Sequence, residues 1–152
     1  IIGDGPMRDE LMSAARNSEA ASSISFLGNL SHAEAMRRLS SAKLLILPSL
    51  CFEGFPMVVQ EAYAYGVPIA ASNIGSLPHL IAENRTGTLF VPGDAESLLA
   101  SVQPLFAGDK QLRILGVQAK EEFDSKYTAG KNYDILMSIY ASAAAHRGAK
   151  LN

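Results

Sequence analysis

The sequence predicts an α/β fold in which a parallel β-sheet lies between two layers of helices. Short apolar segments alternate along the chain with longer segments whose apolar residues recur at helical spacing. Strands that are separated by helices form right-handed βαβ units, and these units build a parallel sheet that is covered on both faces. The chain has 152 residues, of which 48% are hydrophobic and 18% charged, so it is long enough for one domain with a sizeable core.

The predicted elements follow from local signals along the chain. Helices are expected over residues 6–20, 31–41, 56–65, within 75–82, after residue 94, over 110–126 and over 131–147. Strands are expected over residues 24–27, 44–47, 68–71 and 88–91. Ser31 and Glu34 have the spacing of a capping box, and Asp94 precedes an apolar helix as an N-cap residue. No internal repeat or second domain boundary is visible, so residues 1–152 are expected to form one domain whose last part, about 110–147, is helical.

Two glutamates, Glu53 and Glu61, are the most informative residues of the sequence. Glu53 lies in the loop after an apolar strand, and Glu61 lies about a turn and a half into the following helix. In an open parallel sheet, ligands bind in the crevice at the carboxyl ends of the strands. Glu61 shares its helix face with three apolar residues, Met57, Val58 and Tyr65. A carboxylate on an apolar stripe needs hydrogen-bond donors, which either ligand hydroxyls or the amides of a neighbouring loop can supply.

The two glutamates stand within a longer frame that resembles a known signature. The run from Pro48 to Ala62, followed by residues 66–72, resembles the donor-site signature of retaining glycosyltransferases of family 4 (group 1), which have the GT-B fold. Three flanking segments agree in order with the same family: residues 1–6, 26–28 and 86–94. The resemblance covers residues 1 to about 100, and the remainder is a helical pattern.

The resemblance implies a Rossmann-like three-layer αβα sandwich that forms the C-terminal half of a GT-B fold. The chain starts with Ile1-Ile2 and turns at once at Gly3-Asp4-Gly5-Pro6, which indicates a nucleotide-sugar-binding domain truncated at its amino end; a processed or mis-bounded chain is the alternative. In this family the acceptor is held by the N-terminal domain, and the basic residues that hold the diphosphate would precede Ile1. We therefore expect the chain alone to be inactive and to bind its donor weakly.

The resemblance also implies a role for individual residues. Glu61 would hold the ribose hydroxyls of a nucleotide-sugar, and Glu53 would orient the transferred sugar as the catalytic residue. Pro56 has no amide hydrogen, so it cannot donate to the diphosphate. By itself the Gly3-x-Gly5 segment is more simply a tight turn, but within the family its backbone would approach the diphosphate. The implied donor-binding residues are Gly3, Gly5, Glu53, Gly54, Phe55, Met57, Val58 and Glu61.

Composition limits the classes of partner. A net charge of −2 gives no support for nucleic acid binding. No apolar run approaches the roughly 18 to 20 residues of a membrane span. The single cysteine, Cys51, cannot form an internal disulfide, and a small apolar filler is favoured over a redox role. The resemblance implies a cytoplasmic location, a sugar, glycan or lipid-linked acceptor, and peripheral membrane contact only through the half that is absent here.

No metal and no cofactor are expected. The three histidines, His32, His79 and His146, are far apart in the sequence and make no ligand pattern. The chain also lacks an Asp-x-Asp pair of the kind that holds a metal ion in the other large glycosyltransferase fold.

One departure from the family pattern concerns the transferred sugar. Relatives often have Gly-Gly-x-x-Glu where this chain has Gly75-Ser76-Leu77-Pro78-His79, and His for Glu changes both charge and hydrogen-bonding sense. Two alternatives to a transferase are carried forward. One is another GT-B enzyme, such as a nucleotide-sugar epimerase or a phosphorylase, and the other is a non-catalytic Rossmann-like binding domain.

The final predicted helix carries an apolar stripe formed by Tyr133, Leu136, Met137, Tyr140 and Ala144. It either packs on the sheet of its own domain or, as the resemblance implies, crosses to the N-terminal domain. In the second case part of the stripe is exposed here.

Overall fold

The computed structural model describes residues 1–149, which form two compact units, residues 1–41 and the part from residue 42 onward. The first unit contains two helices, α1 (Arg8–Arg16) and α2 (His32–Ser40). Helix α1 is shorter than the predicted helix over residues 6–20. It ends because Ser18 donates from its hydroxyl and its amide to the carbonyl of Ala15, at 2.8 and 3.1 Å, so a local turn replaces the next helical turn.

The strand predicted over residues 24–27 is not a regular strand, and that prediction is wrong. This segment runs beside the first residues of the chain. The Ile1 amino group donates to the Ser25 carbonyl at 2.6 Å, and the Leu27 amide donates to the Ile1 carbonyl at 2.9 Å. Gly3 then turns away with a φ of +114°. The paired stretch is therefore too short to build a ladder.

Both predicted N-caps are confirmed. The Ser31 hydroxyl accepts from the Glu34 amide at 3.4 Å, and the Ser31 amide donates to the Glu34 carboxylate at 3.2 Å, which completes the capping box at α2. In the second unit the Asp94 carboxylate accepts from the Ser97 amide at 2.9 Å.

The second unit is built on a parallel sheet of three strands in the order β1 (Leu45–Leu47), β2 (Ile69–Ser72) and β3 (Gly87–Phe90). Ala70 of β2 lies opposite Ile46 on one side and Thr88 on the other. All four residues of β2 are buried. Because successive side chains of a strand point to opposite faces, both faces of the central strand are covered. The α/β prediction and the three strands of this unit are confirmed.

Helices follow each strand and supply the rest of the core. They are α3 (Met57–Ala64), α4 (Leu77–Leu80), α5 (Ala95–Val102), α6 (Asp109–Lys126) and α7 (Ala129–Ala149). The two last helices agree with the helical region predicted over residues 110–147. The buried apolar residues of the unit include Val59, Ala62, Tyr63, Val67, Ile69, Ala70, Ala71, Leu77, Ile81, Phe90, Leu105, Leu112, Leu115 and Ala119.

The apolar stripe of α7 is exposed. Tyr133, Leu136, Met137 and Tyr140 keep between 42% and 62% of their surface accessible, and Ala144 is also exposed. The stripe therefore does not pack on the sheet of its own unit, and its contact with an N-terminal domain stays a prediction.

Gly87 allows the third strand to pair closely with the second. A Cβ atom placed on Gly87 would lie 1.8 Å from the carbonyl oxygen of Ile69, which belongs to the central strand. Such a contact is with backbone rather than with a movable side chain, so only glycine is compatible with this pairing.

We predict that Gly87→Ala lowers the free energy of unfolding by at least about 2 kcal/mol, because β3 must move away from β2 to make room for the methyl group. Urea denaturation followed by circular dichroism measures the change. Gly130→Ala is the matched control, since a Cβ at Gly130 meets no atom within 4 Å. Equal stability of the two variants would contradict the packing described for Gly87.

A buried carboxylate, Glu122, fixes helix α6 to the loop before β3. Only 5% of Glu122 is exposed, and its carboxylate pairs with Arg85 at 2.7 Å and with Lys126. Burial opposes ionisation, but the hydrogen bonds from Lys126 and Arg85 outweigh it and hold the pKa of the Glu122 carboxyl below its ordinary value of about 4.5.

This depressed pKa predicts a stability difference that depends on pH. We expect Glu122→Gln to be less stable than wild type by about 1 kcal/mol at pH 7. A carboxyl whose pKa is lower in the folded state stabilises the fold above its unfolded pKa, and that contribution is lost as the pH falls below about 4.5 and through the folded pKa. The denaturation curves of wild type and Glu122→Gln should therefore differ at pH 7 and converge at pH 3. Glu121→Gln, which changes an exposed neighbour on α6, should match wild type at both pH values. A difference that is independent of pH would refute this assignment.

Candidate functional site

The loop between β1 and α3, residues 48–56, carries the first predicted glutamate at the carboxyl end of the sheet. We call this segment the Glu53 loop. Glu53 is half-buried, and the hydroxyl of Ser49 donates a hydrogen bond to its Oε1 atom. Ser49, which follows Pro48 just after β1, therefore holds the carboxylate of Glu53 through its Oε1 atom. Analysis of the sequence did not single out Ser49; its spacing of four residues from Glu53 was the available signal.

The turn after β2 lies directly against the Glu53 loop. Gly75, in this turn, has a φ of +60°, and a Cβ on it would lie 3.2 Å from the Glu53 amide nitrogen and 3.4 Å from the Glu53 carbonyl oxygen. The turn is also tied to β3, because the Asn73 amide donates to the Phe90 carbonyl at 2.8 Å. The carboxyl ends of all three strands are thus joined around Glu53.

Helix α3 turns its core side inward through Val59, Ala62 and Tyr63, each fully buried. Glu61 lies on the other side and is half-buried. The face that Glu61 shares with Met57, Val58 and Tyr65 is open to solvent: Met57 is 59% exposed and Tyr65 is 49% exposed. The helix is apolar nearly all round, so its pattern did not distinguish the two faces. A ligand can therefore reach Glu61 from the protein surface.

A buried tyrosine sets the position of α3. The Tyr63 hydroxyl lies 3.0 Å from the Leu80 carbonyl and 2.6 Å from the Thr86 hydroxyl. Since a carbonyl can only accept, Tyr63 donates to Leu80 and accepts from Thr86. Burial raises the pKa of Tyr63 to about 12, so the hydroxyl stays protonated at neutral pH. This network fixes the helix that carries Glu61 relative to the segment after β2.

The amino end of α3 is open to an anion. Pro56 is its N-cap residue and provides no side-chain cap. The first N–H groups of a helix have no acceptor within the helix, and together with the helix dipole they attract negative charge. Phe55 and Met57 beside this end are 43% and 59% exposed, and a Cβ on Gly54 would meet no atom within 4 Å. The predicted residues of this loop and of the first turn of α3 therefore lie together with Glu53.

Gly3 and Gly5 lie in the first unit. The Gly3 amide donates to the Gly28 carbonyl at 2.8 Å, and the Gly5 amide donates to the Asp4 carboxylate at 2.8 Å. Both amides are therefore engaged within the protein and are not available to a phosphate in this arrangement. A Cβ on either glycine would meet no atom within 4 Å, so a ligand can still approach the backbone closely.

Two arginines have acidic partners within the protein. Arg8 pairs with Asp4 at 3.5 Å, and Arg85 pairs with the buried Glu122. His79, the departure from the family pattern, is exposed near the end of α4.

A groove of about 740 Å³ in the second unit lies at the opposite edge of the sheet. It is lined by Lys43 before β1, Pro68 before β2, and Gly116 and Lys120 of α6. Because ligands of parallel sheets bind at the carboxyl ends of the strands, the groove is not the candidate site.

Within residues 1–149, neither a metal-binding cluster nor a membrane-spanning helix is present. No group of three or more His, Cys, Asp or Glu side chains is placed to hold a metal ion within that range. Among the described helices, none combines the length and the apolar character that a membrane crossing requires.

Comparisons with known proteins agree with this geometry. The family model for glycosyl transferases group 1 matches residues 1–122. Glycogen synthase from Mycobacterium tuberculosis is 30% identical over 142 residues, which cover 91% of this chain and 34% of that protein.

Two solved structures have the same fold. The HepE protein of Anabaena, solved in complex with UDP and also with UDP-glucose, superposes with a TM-score of 0.80 at 20% identity in the UDP complex, over 92% of this chain and 40% of HepE. The C-terminal domain of a group 1 glycosyl transferase (LpcC) from Francisella tularensis gives a TM-score of 0.73 at 19% identity, over 81% of this chain and 63% of that domain.

The fold is that of a Rossmann-like α/β domain of the kind that forms the C-terminal half of GT-B glycosyltransferases. The chain belongs to the glycosyl transferases group 1 family. It spans about a third of the length of the glycogen synthase that it matches, 34%.

We predict that Gly75→Ala destabilises the protein by about 1 to 2 kcal/mol, because a left-handed backbone is unfavourable for alanine and the new methyl group presses on the Glu53 backbone. Thermal or urea denaturation measures the loss. Gly54→Ala, in the Glu53 loop that this turn contacts but without a left-handed φ, should remain close to wild type. If both variants were equally stable, the turn would not be in contact with the Glu53 loop.

Proposed function

We propose that this chain binds the nucleotide-diphosphate sugar donor of a family 4 glycosyltransferase that transfers the sugar with retention of configuration. The observation that carries the proposal is the grouping of an anchored carboxylate, Glu53, with the open amino end of α3 at the carboxyl ends of the strands. Membership of the glycosyl transferases group 1 family supports it, as does the binding of UDP and UDP-glucose by HepE, a protein of the same fold.

The two glutamates bind hydroxyl groups rather than phosphates in this proposal. An ionised carboxylate is purely an acceptor, so it repels a diphosphate and pairs with hydroxyl donors. Glu61 holds the ribose hydroxyls, and its half-exposed position on α3 leaves it within reach of a ligand. Glu53 accepts from hydroxyls of the transferred sugar and orients it for attack, which makes it the catalytic residue of this chain.

The diphosphate is placed at the amino end of α3. Amides of Gly54, Phe55, Met57 and Val58 point to the developing charge when the diphosphate leaves, and the helix dipole adds to their effect. Transfer with retention then proceeds by front-face attack: the acceptor hydroxyl bonds to the anomeric carbon as the bond from that carbon to the diphosphate breaks, and the hydroxyl proton passes to the departing diphosphate oxygen. The protein's contribution is positioning together with electrostatic stabilisation of the leaving group, without a cofactor and without a metal ion.

The acceptor, which is a sugar, a glycan or a lipid-linked sugar, is held by a further domain of the longer, cytoplasmic protein. The chain by itself is therefore inactive and binds its donor weakly.

Isothermal titration of the full-length protein with UDP, GDP and ADP tests the proposal. We predict that one nucleotide binds and that Glu61→Ala weakens it about tenfold, as expected for one charge-assisted hydrogen bond to the ribose. Glu96→Ala is the matched control, because Glu96 is exposed in the first turn of α5.

Failure of the wild-type protein to bind any of the three nucleotides would favour the non-catalytic alternative. Conversion of the nucleotide-sugar without any acceptor would favour an epimerase.

A further inference from the structure

We propose that Ser49 is a positioning residue that orients Glu53, so that this carboxylate presents a single fixed oxygen to the transferred sugar. The inference rests on the proposed function, since it assigns a partner to Glu53 within the same site. It starts from the hydrogen bond that the Ser49 hydroxyl donates to Oε1 of Glu53.

A glutamate in a loop has several rotamers, and holding one of them costs conformational entropy at the moment of binding. The bond from Ser49 removes that freedom before the ligand arrives. It takes up one lone pair of Oε1 and fixes the direction of the carboxylate, so Oε2 keeps both of its lone pairs for a sugar hydroxyl. A preorganised acceptor of this kind distinguishes sugars by the direction of a hydroxyl group.

Ser49 is well placed for this role. It stands two residues after the last residue of β1, so the paired strand holds the start of the segment that carries it. It is half-buried, which limits competition from water for its hydroxyl.

The backbone of Glu53 is held separately from its side chain. The turn at Gly75 packs against the backbone of Glu53. A Cβ on Gly75 would lie 3.2 Å from the Glu53 amide nitrogen and 3.4 Å from the Glu53 carbonyl oxygen. Gly75 therefore fixes where Glu53 lies, and Ser49 fixes where its carboxylate points. Loss of the Ser49 hydroxyl should change the direction of the Glu53 carboxylate without changing the position of the Glu53 backbone.

This division of roles predicts which ligand senses the substitution. The free nucleotide has no transferred sugar, so its affinity should not depend on Ser49. The nucleotide-sugar contacts Glu53, so its affinity and the rate at which its sugar is transferred should both depend on Ser49. We expect Ser49→Ala to weaken the nucleotide-sugar about tenfold and to lower kcat about tenfold or more, with the affinity for the nucleotide unchanged within about twofold.

The test is titration of the full-length protein with three matched pairs: UDP and UDP-glucose, GDP and GDP-mannose, and ADP and ADP-glucose. Ser49→Ala is compared with Ser49→Thr, which keeps the hydroxyl and should restore both affinity and kcat. The control is Ser101→Ala, since Ser101 is also half-buried but its hydroxyl donates only within its own helix, to the Leu98 carbonyl at 2.9 Å.

Equal weakening of nucleotide and nucleotide-sugar in Ser49→Ala would mean a general structural role and would overturn the inference. So would unchanged binding of both ligands, or a threonine variant that is as defective as alanine. If the wild-type protein bound none of the three pairs, the proposed function itself would fail and the inference with it.

Discussion

The arrangement of the second unit depends on the burial of its central strand. Both neighbours pair with β2 in parallel, and all four of its side chains are covered. Parallel pairing brings the carboxyl ends of three strands to one edge, where the Glu53 loop, the turn at Gly75 and the loop after β3 meet. Gly87, the first residue of β3, keeps this strand at ladder distance from β2. A site assembled from loops thus acquires its geometry from backbone pairing rather than from the loops themselves.

Much of the second unit could be predicted from the sequence because its signals are local and strong. Apolar runs bounded by Gly and Pro located the three strands within one residue, and Asp94 marked the start of α5. In the first unit Ser31 and Glu34 likewise located α2. The segment 24–27 failed because strand character depends on a partner of sufficient length, and its partner is two residues long before Gly3 turns away. Such pairing is a tertiary property that a single segment does not reveal.

The sequence proposes the residues of the candidate site, but it does not predict their environments. The frame around Glu53 and Glu61 located both glutamates, and the structure places them in one loop–helix segment. Three environments could not be predicted from the sequence. The face of α3 that is buried was not distinguishable, because apolar residues surround the helix. Engagement of the Gly5 amide by Asp4 depends on one side-chain rotamer. Pairing of Arg85 with Glu122 joins residues 37 positions apart, and no local pattern encodes it.

The central claim is that Glu61 and Glu53 bind the hydroxyl groups of a nucleotide-sugar at the carboxyl ends of the strands. A crystal structure of the full-length protein with its nucleotide-sugar tests this claim most directly. The account predicts that the Glu61 carboxylate lies about 2.6 to 3.2 Å from the ribose hydroxyls and that Oε2 of Glu53 lies at the same distance from a sugar hydroxyl. A nucleotide bound instead in the groove lined by Lys43 and Lys120, at the amino ends of the strands, would contradict it.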